Sequence, residues 1–306
     1  MSKATRDAYG ETLAELSKNP QVVVLDADLA KATKTIAFKK VCPERFFDMG
    51  ISEQDMLGTA AGFATCGKIP FASTFAIFAA GRAFEQVRNS IAYPNLNVKI
   101  AATHAGLTVG EDGGSHQAIE DISLMRSIPN MVVLNPADEV EAKQAILAAV
   151  AHYGPMYIRL GRAATPKIYD ENYKFEIGKG DVLREGSDVA IIATGIMVAK
   201  ALEAAERLQE ENIAATVINM HTIKPIDREL IVKTAKLTGK IVTAEEHSVI
   251  GGLGSAVCEV LSQEYPTKVA MVGIKDQFGT SGKPDELLKQ YGLTTNDIID
   301  AVKTIK

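Results

Sequence analysis

Short, mostly apolar runs alternate with longer amphipathic segments along most of the chain, and this alternation is the feature that most constrains the fold. Residues 21–26 (QVVVLD) are rich in β-branched side chains and follow Pro20, so they predict a buried strand. Similar runs occupy residues 98–102, 131–134, 156–159, 189–194, 215–219, 240–244 and 268–272. Amphipathic segments such as 137–152 and 197–211 lie between these runs. Apolar strands separated by helices indicate mostly parallel sheets covered on both faces.

The pattern breaks once, in a polar stretch that contains Pro166 and has no clear period. Such a stretch is typical of a connection between domains. We therefore predict one α/β domain over residues 1–165, a linker over 166–180 and a smaller α/β domain over 181–306. Each domain is expected to be a three-layer α/β/α unit.

Composition excludes several classes of function. Apolar residues make up 46% of the 306 residues, and the net charge of −5 is spread along the chain. A nucleic-acid or anionic-membrane partner would favour a basic face, so neither is expected. The three cysteines are widely spaced, which argues against a disulfide framework and fits a reducing compartment. The first seven residues lack the apolar core of a signal peptide, and we expect a cytoplasmic protein.

The first candidate for chemistry is an acid within residues 45–67. A strand is expected to end before Gly50 and a helix to begin after it, with Ser52 and Asp55 at the spacing of a capping box. Glu53 falls in the first helical turn and shares a face with the apolar residues that follow it, so we expect its side chain to point inward. Either Glu53 only complements the helix dipole, or it is a partly buried carboxyl that serves proton chemistry.

The second candidate is the glycine-rich loop of residues 102–117 (ATHAGLTVGEDGGSHQ), which follows a predicted strand. Such loops lie where α/β sheets bind ligands. Its potential ligand residues are His104, Glu111, Asp112 and His116. They could contact substrate hydroxyls, bind a metal or remain solvated in an ordinary turn. The spacing matches no standard zinc pattern, and we expect no metal site in this chain.

The third candidate is the aromatic pair Phe75 and Phe78. At this spacing both side chains could belong to the core of a helix, or they could stack on a flat heterocycle. The remaining histidines, at positions 152, 221 and 247, are expected to be surface or structural residues.

Taken together, these segments resemble the transketolase family over nearly the whole chain. The resemblance is carried by residues 26–29 (DADL), 50–55 (GISEQD), 102–117, 126–138 (RSIPNMVVLNPAD) and 245–254 (EEHSVIGGLG). Several separate motifs in the same order are far more specific than any one of them. The resemblance implies a pyrimidine-binding domain followed by a transketolase C-terminal domain.

The family's diphosphate motif, GDG followed later by an asparagine, does not occur in the sequence. The resemblance therefore implies that an N-terminal partner subunit carries it, together with Mg²⁺ or Ca²⁺. The gene would be split at the domain border, since Met1 stands just before the middle domain would begin. The implied assembly is a heterotetramer of two chains of each kind (α2β2). The implied activity is the transfer of a two-carbon ketol unit between sugar phosphates, as in the pentose phosphate pathway.

The resemblance also assigns the cofactor side of the site. Glu53 would hydrogen-bond the pyrimidine ring nitrogen of thiamine diphosphate and favour its imino tautomer. Phe75 and Phe78 would pack on that ring. A third aromatic that some members carry is replaced by Gly81.

On the substrate side, the resemblance implies that hydroxyl or phosphate groups contact His104, Asp112 and His116. Arg6 and Arg162 resemble two family arginines that clamp the sugar phosphate, a role that suits planar, permanently charged side chains. A serine that often helps to hold the phosphate is replaced by alanine at position 32, beside Thr33.

Three alternatives remain at this stage. The β subunit of a 2-oxo acid dehydrogenase has the same two domains. Deoxyxylulose-phosphate synthase shares the middle segment but usually has arginine where His104 stands. A non-catalytic relative would retain the fold without needing the site residues.

Overall fold

The computed structural model describes residues 2–305, in which strands and helices alternate along most of the chain. The strands are β1 (Lys3–Ala4), β2 (Val22–Asp26), β3 (Phe46–Asp48), β4 (Ile69–Phe75), β5 (Lys99–Thr103), β6 (Val132–Leu134), β7 (Met156–Arg159), β8 (Ala164–Thr165), β9 (Asp181–Arg184), β10 (Val189–Ala193), β11 (Ala215–Asn219), β12 (Thr222–Lys224), β13 (Lys240–Ser248) and β14 (Lys268–Ile274).

The α-helices cover the sheets that these strands form. They are α1 (Thr5–Leu16), α2 (Ala30–Thr33), α3 (Ile36–Val41), α4 (Glu53–Thr65), α5 (Asp121–Arg126), α6 (Glu139–Ala151), α7 (Met197–Glu210), α8 (Arg228–Thr238), α9 (Leu253–Glu264), α10 (Pro284–Gln290) and α11 (Thr295–Thr304). The chain also forms 3₁₀ turns at Pro43–Arg45 and Leu107–Asp112 and π-helical segments at Phe78–Arg82 and Gln86–Ala92.

The first sheet has the strand order β12-β6-β7-β5-β4-β2-β3. Its neighbouring strands are parallel except for β12, which pairs antiparallel with β6. Strands β2, β4, β5 and β7 are buried along their whole length because apolar clusters cover both faces of the sheet. The predicted parallel sheet is therefore confirmed.

The second sheet has the order β14-β13-β10-β11-β9, and only its edge strand β9 is antiparallel. Apolar side chains of α7 and α11 cover one face, and those of α8 and α9 cover the other. This arrangement confirms a second α/β/α unit. The polar stretch 166–180 between the two units forms neither helix nor strand.

Strand β12 belongs by sequence to the C-terminal half but by hydrogen bonding to the first sheet. Thr222 lies opposite Leu134 on β6. The ammonium group of Lys224 donates hydrogen bonds to the carbonyl oxygens of Arg126 (3.0 Å) and Ile128 (2.5 Å). The domain boundaries at residues 165 and 181 stay predictions, and the C-terminal half contributes a strand to the sheet of the first half.

Two local predictions are wrong. Ser52 is the N-cap residue of α4, but its side chain makes no capping hydrogen bond within the described structure, so the predicted capping box is not formed. Ser52 and Asp55 are both exposed, and water can satisfy the helix end instead. Phe75 is the last residue of β4 rather than part of a helix, and only Phe78 lies in a helical segment.

The thiols of Cys42, Cys66 and Cys258 are free, as the wide spacing predicted. Within residues 2–305, no helix combines the length and the apolar character that crossing a membrane would require. The expected cytoplasmic location stays a prediction.

Candidate functional site

The candidate residues gather at one edge of the first sheet because its strands are parallel. Strands β3, β2, β4, β5 and β7 have their carboxyl ends at this edge, and side chains that follow different strands meet there. The residues gathered at this edge are Glu53 after β3, Phe75 and Phe78 at and after β4, His104 after β5 and Arg162 after β7. Arg6, at the start of α1, joins them.

Glu53 begins α4 after the turn at Gly50, which has a φ of +68° that glycine adopts readily. Glu53 is 2% exposed, so its side chain lies inward as its position on the apolar face predicted. Nη1 of Arg82 donates to both carboxylate oxygens, at 3.0 and 2.9 Å. The guanidinium side chain is itself 47% exposed. Within residues 2–305, the half-exposed guanidinium of Arg82 is the one basic group that forms an ion pair with this carboxylate.

An aromatic platform lies beside this carboxylate. The rings of Phe75 and Phe78 are nearly parallel, with centroids 5.9 Å apart and an interplanar angle of 9°. The imidazole of His104 stacks on Phe75 at 3.8 Å, and that of His116 meets Phe78 edge-on at 5.5 Å. A Cβ at Gly81 would have no neighbour within 4 Å, so the space beside the platform is open.

The contacts of the Arg82 guanidinium indicate whether this platform suits a planar heterocycle. The guanidinium carbon lies 4.4 Å from the centroid of Phe78 while the same group donates to Glu53. A planar, cationic nitrogen group therefore already satisfies both the ring face and the carboxylate. A protonated aminopyrimidine requires the same two contacts, a flat apolar face and a carboxylate acceptor. The residues present thus fit the pyrimidine of thiamine diphosphate.

Sequence reasoning missed Arg82. A signal was available, because Arg82 lies four residues after Phe78 in a helical segment, where side chains are neighbours. Its pairing with Glu53 spans 29 positions and depends on how β4 and α4 pack. Sequence spacing does not reveal such a contact.

His104 is held as a neutral imidazole. Nη1 of Arg6 donates to its Nε2 at 2.8 Å, and its Nδ1 lies 2.9 Å from the hydroxyl of Thr103. Since arginine only donates, Nε2 accepts and Nδ1 carries the proton. Burial, followed by the positive charges of Arg6 and Arg162, lowers the pKa of His104 to about 3. His104 has a φ of +59°, an uncommon value that often marks functional residues.

Arg162, which follows β7, lies opposite Asp112 of the glycine-rich loop. Nη1 of Arg162 contacts the carbonyl oxygen of Val109 and lies 3.6 Å from the carboxylate of Asp112. Both side chains are substantially exposed and can turn to a ligand. His116 is half-buried, with Nδ1 3.0 Å from the hydroxyl of Ser115. Arg162 therefore lies against the loop that carries Asp112 and His116, as Arg6 lies against His104.

The short helix α2, which follows β2, contributes its backbone to this site. The carbonyl oxygen of Ala32 accepts a hydrogen bond from Arg6 at 3.1 Å. Thr33 is buried and donates to the carboxylate of Asp26 at 2.6 Å. Burial raises the pKa of Asp26 to about 6. Because its hydroxyl points inward, Thr33 does not replace the serine of other family members.

A second polar cluster lies between the two halves of the chain, away from this edge. We call it the interdomain cluster, and its members are Glu141, Tyr169, Tyr173, Asp181, Asn219 and His221. The amide of Asn219 donates to both oxygens of Glu141 at 2.9 Å, and both tyrosine hydroxyls donate to Asp181. Burial raises the pKa of Glu141 to about 8 and lowers that of His221 to about 4.

The interdomain cluster also contains residue types that could ligate a metal. Ligand atoms of Glu141, Asp181 and His221 lie within 4.8 Å of one another. The carboxylate oxygens nearest this point already accept hydrogen bonds from tyrosine hydroxyls and Asn219. The carboxylates therefore belong to a hydrogen-bonded network, in which Nε2 of His221 and Oδ1 of Asn219 have no partner among the described residues. His221 is a buried structural residue rather than a surface one.

Two family profiles match the chain. The profile described as Transketolase, pyrimidine binding domain matches residues 1–167, and the profile described as Transketolase, C-terminal domain matches residues 178–298. Each matched region contains one of the two α/β/α units. The match therefore covers both halves of the chain in the order that the motifs predicted.

Similar proteins of nearly the same length exist as separate chains. A protein of Methanocaldococcus jannaschii, named as a transketolase C-terminal section, is 54% identical over 300 residues, which are 97% of this chain and 94% of that protein. The 6-deoxy-6-sulfo-D-fructose transketolase subunit SqwH of Clostridium sp. (strain MSTE9) is 46% identical over 301 residues, with 98% and 94% covered. The solved structure named split gene transketolase, inactive beta4 tetramer, is 58% identical, with a TM-score of 0.92 over 100% of this chain and 98% of that one.

Proposed function

The chain belongs to the transketolase family, and on this premise we propose that it is the C-terminal subunit of a two-chain, thiamine-diphosphate-dependent transketolase. The observation that carries the proposal is the buried carboxylate of Glu53 beside the parallel rings of Phe75 and Phe78. The similar proteins named as a section and as a subunit support a separate chain. The reaction proposed is the transfer of a two-carbon ketol unit from a ketose phosphate to an aldose phosphate in carbohydrate metabolism.

Glu53 is proposed to hold a proton at the ring nitrogen of the pyrimidine. A carboxylate that is 2% exposed exchanges that proton with the ring rather than with water. Phe75 and Phe78 are proposed to pack on the ring from one side and to exclude water from the carboxylate. Bound thiamine diphosphate supplies the carbon nucleophile that breaks and forms the carbon–carbon bond.

Arg82 must leave Glu53 before the carboxylate can bind the ring nitrogen. Both carboxylate oxygens now accept from the guanidinium. Because the guanidinium is half-exposed, it can swing outward without opening the core. We propose that docking of the partner subunit and cofactor together draws it away.

The substrate is proposed to bind on the loop face of the site. The neutral imidazole of His104 can hydrogen-bond a sugar hydroxyl or carbonyl without repelling the nearby arginines. Asp112 and His116 lie on the same loop and can contact further hydroxyls. The guanidinium groups of Arg6 and Arg162 can bind the terminal phosphate in the bidentate manner that phosphate favours.

The partner subunit is proposed to bind the diphosphate group and Mg²⁺ or Ca²⁺, in an α2β2 assembly. The absence of the GDG motif from the sequence supports the assignment of the diphosphate site to the partner subunit. A similar chain was solved as an inactive beta4 tetramer, which supports the expectation that this chain needs a partner. The pathway and the cytoplasmic location belong to the same proposal.

The test is reconstitution of the chain with the product of a neighbouring gene that carries the GDG motif. Glu53→Gln should remove most turnover on ketose and aldose phosphates, because glutamine cannot exchange the proton. Asp55→Asn is the matched control, since Asp55 lies exposed in the same helical turn. Near-normal kcat in the Glu53→Gln enzyme, or full activity of the chain alone, would reject the proposal.

The substrate class should be tested with a panel of sugar donors and acceptors rather than with one donor–acceptor pair. The SqwH relative is named for a sulfonated fructose, so a sulfo-sugar donor belongs beside common ketose phosphates. A preference for a sulfonated sugar would change the proposed substrate class from sugar phosphates to sulfo-sugars. It would leave the proposed role of Glu53 unchanged. Turnover of a 2-oxo acid instead of a ketose would contradict ketol transfer.

A further inference from the structure

The glycine-rich loop of the first half is held in place by the second half of the chain. Glu246 lies near the end of β13 and is 3% exposed. Its Oε1 accepts a hydrogen bond of 2.6 Å from the backbone N–H of Thr108, which lies 138 positions away. A carboxylate of the C-terminal domain therefore caps the 3₁₀ turn Leu107–Asp112 at its start.

The loop has a matching gap for this carboxylate at Gly106. Gly106 has a φ of +80°, and a Cβ there would lie within 2.5 Å of all three atoms of the Glu246 carboxyl group. A side chain at position 106 would displace the carboxylate. Glycine thus serves both the backbone conformation and the close approach of Glu246.

Other residues of the C-terminal domain hold the far end of the loop. The side-chain amide of Gln117 donates to the carbonyl oxygen of Thr280 at 2.9 Å. The hydroxyl of Ser281 donates to the carbonyl oxygen of Glu111 at 2.6 Å. The loop that carries Asp112 is therefore fastened at several points to the C-terminal domain.

Glu246 is a buried acid whose side chain accepts from a backbone N–H group of the substrate loop. Burying a carboxylate is unfavourable, and burial raises the pKa of Glu246 to about 7. Its neighbour Glu245 is equally buried but points to the other side of β13, where it accepts from the backbone N–H groups of Leu253 and Gly254. Two adjacent buried acids thus hold different elements, and only Glu246 reaches the substrate loop.

We propose that Glu246 is a positioning residue for substrate binding. By holding the Gly106–Thr108 backbone, Glu246 fixes the loop that presents His104 and Asp112 to the substrate. This inference rests on the proposed function of that loop. It assigns to the C-terminal domain a part in the site that its sequence did not indicate.

The test compares Glu246→Ala with Glu245→Ala in the full chain, reconstituted with its partner. Glu246→Ala should raise the KM for the ketose phosphate donor about tenfold, because it removes one charged hydrogen bond that orders the loop. The thiamine diphosphate concentration at half-saturation should stay unchanged. Amide hydrogen exchange of a peptide covering residues 107–112 should accelerate in Glu246→Ala and not in Glu245→Ala. Glu246→Gln should recover most of the KM, since glutamine retains an acceptor for the Thr108 N–H.

Gly106→Ala tests the same contact from the loop side. It provides a second test in case the Glu246 variants fold poorly. The part of its KM defect that comes from the clash with the carboxylate should disappear in a Glu246→Ala background, while the part that comes from the positive φ should remain. The inference is overturned if loop exchange is equal in the two alanine variants. It is also overturned if KM is unaffected by Glu246→Ala, or if the two substitutions act additively.

The hydrogen-exchange comparison separates this inference from the proposed function. If the wild-type assembly binds cofactor but transfers no ketol unit, the proposed function fails, while the exchange rates still report whether Glu246 holds the loop. If the wild-type enzyme is active and the loop exchange does not respond to Glu246→Ala, only the positioning role fails.

Discussion

Glu141 of the interdomain cluster should make the stability of the chain fall as pH rises. Burial raises its pKa from 4.5 to about 8 in the folded state. The folded chain therefore retains a proton on Glu141 at pH values where the unfolded chain has lost it. The stabilising contribution is complete below pH 4.5 and is lost as pH rises through 8.

The magnitude follows from linkage between proton binding and folding. Within this window the free energy of unfolding falls by about 1.4 kcal/mol per pH unit for one such group. Because the fall levels off near the folded-state pKa, the loss between pH 6 and pH 8 is about 2 kcal/mol. For a domain of this size, that corresponds to a Tm lower by roughly 4–8 °C.

The perturbation is Glu141→Gln, which removes the titration while retaining shape. The Oδ1 atom of Asn219 is buried without a hydrogen-bond partner, so its amide can flip to accept from the new side-chain NH₂. The Tm is measured by calorimetry at pH 6 and at pH 8 for the variant and for the wild-type chain. Glu139→Gln is the control, since it removes one acid from the first turn of the same helix without entering the cluster.

The decisive quantity is the difference between the two Tm changes. Other buried groups, such as Asp26 and Glu245, also titrate, but their effects cancel in this comparison. Wild type and Glu139→Gln should lose several degrees more than Glu141→Gln between pH 6 and pH 8. Equal losses in all three would refute the reasoning, because Glu141 would then be ionised in the folded chain at neutral pH.

Three further outcomes are expected. Arg162→Ala should raise KM for phosphorylated sugars well above its effect on unphosphorylated ones, and equal effects in steady-state kinetics would remove the phosphate role. Asp121→Ala should lower the free energy of unfolding by about 3–5 kcal/mol in urea, because it leaves the buried guanidinium of Arg159 unpaired; a loss below about 1 kcal/mol would contradict that reasoning. The chain alone should bind thiamine diphosphate weakly in equilibrium dialysis at physiological Mg²⁺, and tight binding would argue against a pocket shared by two subunits.

Much of the fold could be predicted from local pattern. Strands β2, β10 and β11 are mostly apolar and are buried along their whole length, and each coincides closely with a predicted run. Strand β4 (Ile69–Phe75) was not predicted, although all of it is buried, because Pro70, Ser73 and Thr74 dilute its apolar pattern. Strand β12 is three residues long and exists only through its pairing with a distant strand. Local periodicity carries no information on such pairings.

In the candidate site, too, some features could be predicted from local sequence and others depend on distant contacts. Parallel strands bring their carboxyl ends together, so the motifs that follow β3 and β5 could be expected to meet. Glu53 and His104 do lie at this edge, and the unpredicted strand β4 adds Phe75 and Phe78 to them. The contact between Glu53 and Arg82 depends on tertiary packing and was not foreseen. The same holds for Glu246, which reads in sequence as one of a pair of ordinary acids.

The position of β12 limits how such chains can be recombined. Its three residues are encoded far downstream of the stretch 166–180, yet they cover the outer edge of β6. A hybrid joined at that stretch from two relatives would give the first sheet a foreign border strand, and a fragment that stops there would expose an unpaired edge prone to self-association. The stretch 166–180 is therefore a poor crossover point, and the two halves are expected to be inherited together.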